Sequence, residues 1–302
     1  MAANVNETSA ATAAKKAKKS DSALKKFFKF CKKNPTFALG LAIMLVIIVV
    51  ALFAEQIAPH DPTVNNPKVS LLKPFTDPEY PLGTDYIGRC LLSRMIFGIR
   101  TSALLCVTAV VAAVALGVSV GIVSGMGYPG KSDNILMRVV DVQMGFPFIV
   151  LVIILISLFG QSYPALILVL ALSFWAPYAR NIRGTVMIEK EMDYISAAKL
   201  MGASKWRIAT KYLGRNVLPG VLPVVPMDLS AAIVIESLLA YMGLGVQPPG
   251  ISLGNIMGDG KSYIATHWWI TAMPGILIIV IAIALTLIGD ALHKHFDPKL
   301  KS

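Results

Sequence analysis

Apolar residues along this chain fall in blocks of about 20, separated by shorter polar stretches. That is the length a helix rising 1.5 Å per residue needs to cross about 30 Å of hydrocarbon. The blocks predict spans near 37–53, 102–123, 143–159, 165–178, 218–241 and 270–288. Lipid offers no partner to backbone N–H and C=O groups, so these segments should be helical. The predicted fold class is all-α: a polytopic membrane bundle of about six helices.

The polar intervals have characters of their own. Pro59, Pro62, Pro67, Pro74, Pro78 and Pro81 break regular structure after the first block. Ile87, Leu91, Met95 and Ile99 then recur at helical spacing, with Arg89, Arg94 and Arg100 between them. This suits an interfacial amphipathic helix entering the second span. Within that span, Gly117, Gly121 and Gly125 form a small-residue stripe on one face, fit for close helix packing.

The most unusual interval is a basic insert from Arg180 to Asn216. Its centre, Asp193 to Tyr212, reads as two short helices joined at Gly202. Asp193 is placed to cap the first, Gly202 to end it in the left-handed region, and Ser204 to cap the second.

Composition agrees with a membrane protein. The chain is 55% hydrophobic and 15% charged, against roughly 25% charged in soluble domains. The net charge of +11 is concentrated rather than spread. Lysines cluster between Lys15 and Lys33, directly before the first block, and basic residues exceed acids in the insert. Positive residues mark the cytoplasmic side, so the insert and both termini are expected there. Residues 1–36 read as a disordered basic tail against anionic lipid, without a cleaved signal peptide. The remaining 37–302 form one transmembrane domain: a first span and outer segment (37–101), a core bundle (102–290) and a cytoplasmic tail (291–302).

Other chemistry is sparse. Cys31, Cys90 and Cys106 lack metal-ligand spacing and predict no disulfide. Residues Gly125 to Ser132 match the phosphate-cradling P-loop pattern, but a membrane helix precedes them where a strand is required. The insert's Ala197-Ala198-x-x-x-Gly202 also fits a helix-turn-helix, yet its tethering between two spans denies it a major groove, so no nucleic-acid partner is expected. Asp228 and Glu236 are intramembrane acids, which are costly and often functional. They could line a translocation path, or serve an ion-coupled secondary transporter.

At the insert a family resemblance emerges. Tyr194-Ile-Ser-Ala197-Ala198-x-x-x-Gly202-Ala-Ser resembles the "EAA" loop of permease subunits of ATP-binding-cassette importers, in particular the C-type subunit of the dipeptide/oligopeptide/nickel branch. Leu82-Gly83-Thr84-Asp85 with Gly88-Arg89 and Ser93-Arg94 is similar to that branch's stretch before the second span. Tyr241-Met-Gly-Leu-Gly-Val-Gln-Pro-Pro and the ending Gly289 to Lys301 are similar to its later elements. The chain departs from the pattern at Ser196, where the loop has glutamate, at Asn216, where histidine is common, and at Tyr86 and Cys90, where acids are usual.

The resemblance implies a non-enzymatic permease subunit in the cell or inner membrane, importing di- or oligopeptides, nickel chelates or another solute. It implies a second homologous permease, two cytoplasmic ATPases that use ATP and Mg, and an extracytoplasmic binding protein. This chain would bind no cofactor or metal. Ser196, Ala197, Ala198, Gly202, Lys205 and Arg207 would dock the ATPase.

Overall fold

The computed structural model describes Lys25 and residues 29–296; most of the expected basic tail and residues 297–302 lie outside these. The described chain is helical, with one isolated β-bridge between Thr84 and Cys90. Helix α1 (Pro35–Leu52) starts on a proline, whose missing N–H costs nothing at a first turn. A proline-rich loop leads to α2 (Leu91–Gly127), 37 residues long and thus longer than a bilayer core is thick. Then follow α3 (Lys131–Gly145), α4 (Phe148–Phe159) and α5 (Tyr163–Glu189), capped by Ser162, which accepts from Ala165 N at 3.4 Å.

The insert comprises α6 (Asp193–Leu200), α7 (Lys205–Arg207), a π-helical turn (Ile208–Leu213) and α8 (Gly214–Val221). Helices α9 (Val224–Tyr241), α10 (Leu253–Asp259) and α11 (Trp269–Phe296) complete the fold. Among the described residues five helices are long and apolar enough to cross a membrane, or six when the bent pair of α3 with α4 is taken as one span.

Three expectations need correcting. The third span is not a straight helix over 143–159, because α3 and α4 meet at 104°. Pro147 biases the residue before it away from helix, and Phe146 is extended at φ −82°, ψ 140°. The amphipathic stretch 87–102 does not turn its whole polar side to solvent: Arg94 is buried along with Leu91, Met95 and Ile99. It is the first part of α2, and its arginine is neutralised inside the protein rather than by water. The fifth span is broken at Leu222–Pro223, between α8 and α9.

The longest packed seam joins α2 to α5, and the glycine stripe makes it possible. A Cβ on Gly121 would lie 2.7 Å from Ala179 O, and one on Gly117 would lie 2.6 Å from Trp175 O. A second apolar cluster continues this seam toward the insert, where Ile195, Ile208 and Leu213 bury against Ile182 and Val186 of α5. Gly121→Leu should therefore force the seam apart, at a cost of at least about 1–3 kcal/mol. Thermal unfolding in detergent checks this; an unchanged Tm would mean the helices are not held at backbone contact.

Candidate functional site

The insert's local geometry follows from its end residues. Helix α6 closes in a Schellman motif: Gly202 stands at φ +79°, its N–H reaches Lys199 O at 3.0 Å, and Ala203 N reaches Ala198 O at 3.0 Å. Glycine takes that conformation without the strain a Cβ brings. Ser204 caps α7 by accepting from Arg207 N at 3.3 Å. Asp193 is not a cap; the N-cap is Met192, without a side-chain bond. Asp193 lies in the first turn instead, where a carboxylate favours the positive end of the helix dipole.

Of the residues singled out by resemblance, Ser196, Ala197, Gly202, Lys205 and Arg207 are exposed together around this turn. Ala198 is fully buried with Ile195 and faces the bundle, so its small side chain seats the helix rather than presenting a surface. Sequence reasoning missed Leu200 and Met201, which stand 90% and 78% exposed at the tip beside Trp206. Two large apolar residues directly before a helix-ending glycine were the available signal.

A polar clasp holds the insert to the bundle. Tyr194 Oη donates to Glu189 at the end of α5, while Asn216 Nδ2 donates to Tyr194 Oη at 2.7 Å and to Glu189 at 3.2 Å. Partial burial, then the neighbouring Glu189, raise the Tyr194 phenol above its ordinary range, so it stays a neutral donor. Asn216, at the position where histidine is common, thus retains a donor. Just above the clasp, Arg183 grips Asp133 of α3 with two bonds of 2.6 and 2.8 Å. Ser124 of α2 adds a third bond to that carboxylate, and Arg180 pairs with Asp141. Lys190 lies over the Tyr128 ring at 5.3 Å.

The opposite end carries another charged knot. Asp85, fully buried, accepts from Arg89 and Arg94, both at 2.6 Å. The same arginines reach Asp259 at the end of α10, at 3.0 and 2.8 Å. Residues far apart in sequence are thereby joined, and Tyr86, Tyr241 and Gln247 line a cavity of about 530 Å³ above them. Cys90 is buried at the start of α2.

The intramembrane acids differ from each other. Glu236 is enclosed within this chain and accepts from Ser102 at 3.1 Å and Ser237 at 3.5 Å. Asp228 is half-buried and faces the Tyr178 hydroxyl without a well-formed hydrogen bond. The P-loop-like stretch joins two helices, and Lys131 is exposed at the start of α3. Among the described residues no group of three or more His, Cys, Asp or Glu could hold a metal.

Comparison with known proteins fits this arrangement. A family model described as "Binding-protein-dependent transport system inner membrane component" matches residues 117–302, the entire insert included. The chain belongs to that family. Residues 22–74 also match the "N-terminal TM domain of oligopeptide transport permease C". The dipeptide transport system permease protein DppC of Haemophilus influenzae is 33% identical over 282 residues, covering 92% of this chain and 95% of the relative. A di/tripeptide transport system permease of Pseudomonas aeruginosa is 32% identical, covering 93% and 94%. Among solved structures, an inward-facing form of the MetNI methionine ABC transporter aligns with TM-score 0.56 at 19% identity, over 68% of this chain and 98% of that one. At that identity the likeness is one of fold. As a member of a permease family, the chain is a transport component and not an enzyme.

The knot around Asp85 generates a test. Asp85→Ala would leave the buried Arg94 without its shorter ion pair, and removing one partner of a buried pair costs about 3–5 kcal/mol. Thermal unfolding of the permease should show a clearly lowered Tm. A Tm within error of the native protein's would mean water already solvates these charges.

Proposed function

We propose that this chain forms one half of the translocation path of an ATP-driven importer of di- or oligopeptides. It lies in the cell membrane with both termini and the insert in the cytoplasm, as the basic bias of the insert supports. A second homologous permease subunit completes the path, and an extracytoplasmic binding protein delivers the substrate. Two cytoplasmic ATPases supply energy, and ATP and Mg belong to them. The peptide substrate class rests on the dipeptide and di/tripeptide relatives.

One observation carries this reading: the insert is a stiff projection, capped at its internal ends, clasped to α5 and tipped with exposed Leu200, Met201 and Trp206. Such a tip seats in a groove on a partner, with Ser196, Ala197 and Gly202 allowing close approach and Lys205 and Arg207 at the rim. When ATP draws the ATPases together, the projection moves as a rigid body and carries α5 and α8 with it. ATP achieves this only by binding the two states of the assembly unequally.

Gly202→Asp adds a side chain at φ +79° and a carboxylate at the tip. Transport should fall at least about tenfold, equivalent to about 1.4 kcal/mol, while the subunit still reaches the membrane. Full transport and normal co-purification with the ATPases would refute the docking assignment.

Of the two acids, we assign Asp228 to the path and Glu236 to packing. Asp228→Asn should then slow uptake without lowering Tm. Unchanged uptake, or a Tm loss that accounts for the slowing, would remove Asp228 from the path.

A further inference from the structure

A groove of about 1020 Å³ lies between the insert-side end of α2 and the insert itself. Its floor is apolar, with Ile122 and Met126 on one wall and Leu213 and Leu218 on the other. Its rim is cationic: Lys190, Lys199 and Arg215 line it, together with Lys205, which it shares with the docking tip. None of these four has a carboxylate partner among the described residues, although Glu189, Glu191 and Asp193 lie in the same insert. Glu189 is turned instead to Tyr194 and Asn216. By contrast, the arginines inside the bundle, Arg89, Arg94 and Arg183, are each matched to an acid. Lys190 donates to the Tyr128 carbonyl, a neutral partner that leaves its charge in place. An apolar trough with a cationic rim that no carboxylate pairs is complementary to an amphiphile bearing negative charge.

We propose that this groove binds an anionic phospholipid of the cytoplasmic leaflet, its acyl chains along α2 and its phosphate on the cationic rim. The groove lies between the last turns of α2, at the end of the apolar stretch 102–123, and the polar insert, where a headgroup would meet its tails. Basic pockets between membrane helices on the cytoplasmic side suit anionic headgroups in this way. The other occupants fit less well. The chain's own amino-terminal segment carries lysines and would repel the rim. An apolar helix of a second permease would fill the trough but offer no anion to the rim. One groove wall is the π-helical turn Ile208–Leu213, so a lipid seated here touches the element that joins the docking tip to α8. Lipid composition would thereby bear on coupling.

This inference rests on the cytoplasmic placement of the insert, which is measured separately: Glu191→Cys, exposed in the insert and outside the docking tip, in a background with Cys31, Cys90 and Cys106 replaced by serine, should resist a membrane-impermeant maleimide in intact cells and react in inverted vesicles. Labelling from outside would sink the orientation itself. With the orientation in hand, the assembled transporter is titrated with phosphatidylglycerol and, in parallel, phosphatidylcholine, and retained lipid is counted by native mass spectrometry. Phosphatidylglycerol should be retained preferentially. Lys190→Gln with Arg215→Gln should weaken that retention at least about tenfold, and Lys190→Arg with Arg215→Lys should preserve it.

A phosphatidylglycerol with a photoreactive acyl chain tests the native complex without any substitution. Label should appear on peptides spanning 118–127 and 208–218. Equal retention of the two lipids, an unaffected glutamine variant, or label confined to other helices would each overturn the proposal. So would chemical cross-links from these two peptides to the second permease in place of lipid.

Discussion

The bundle depends on backbone contact between α2 and α5. Within lipid there is little hydrophobic drive for helices to associate, so packing must come from close approach and dispersion. Gly117, Gly121 and Gly125 supply that approach, and α5 answers with Trp175, Ala179, Ile182 and Val186. The consequence reaches beyond the seam. Close helices bring Ser124 of α2 and Arg183 of α5 onto the same carboxylate, Asp133, which fixes α3 as well. A bulkier seam would separate these groups and leave a buried aspartate to find another partner.

From that anchored base the insert gains its stiffness. Its internal turn is fully capped: Gly202 and Ala203 close α6 and Ser204 opens α7, while Tyr194, Glu189 and Asn216 lock the outgoing and returning segments of chain together. Isolated helices of eight residues, such as α6, are marginal in water. This one persists because Ile195 and Ala198 bury against the bundle while the rest of its face stays open. The same residues therefore decide both that the projection exists and which side of it is free.

Much of this was legible in the sequence because it is local. The left-handed glycine and the serine cap depend on near neighbours, and both lie where their chemistry requires, whereas the third span bends at Pro147 and the fifth breaks at Leu222–Pro223. The glycine stripe also announced its purpose. What escaped was non-local. Arg94 looked like the polar side of an interfacial helix, because nothing in 87–102 reveals that Asp259 closes over it from 165 residues away. Asp133 and Arg183, separated by 50 residues, met only once α2 and α5 were packed. Within the site, spacing alone could not distinguish buried Ala198 from exposed Ala197, since either could face out until the burial of Ile195 sets the helix's rotation.

The two charged knots also constrain how the molecule can move. Asp85, Arg89, Arg94 and Asp259 tie α2 to α10 at one end, and Asp133 with Arg183 ties α3 to α5 at the other. Buried ion pairs of this kind add little net stability, yet they are expensive to break singly. Motion that conserves them is therefore favoured over motion that splits them. The joints left without such ties are the break at Leu222–Pro223 and the 104° corner at Gly145 to Pro147, where prolines have removed backbone bonds. A push on the insert would accordingly bend the chain at those prolines while α2 and α5 travel as one piece.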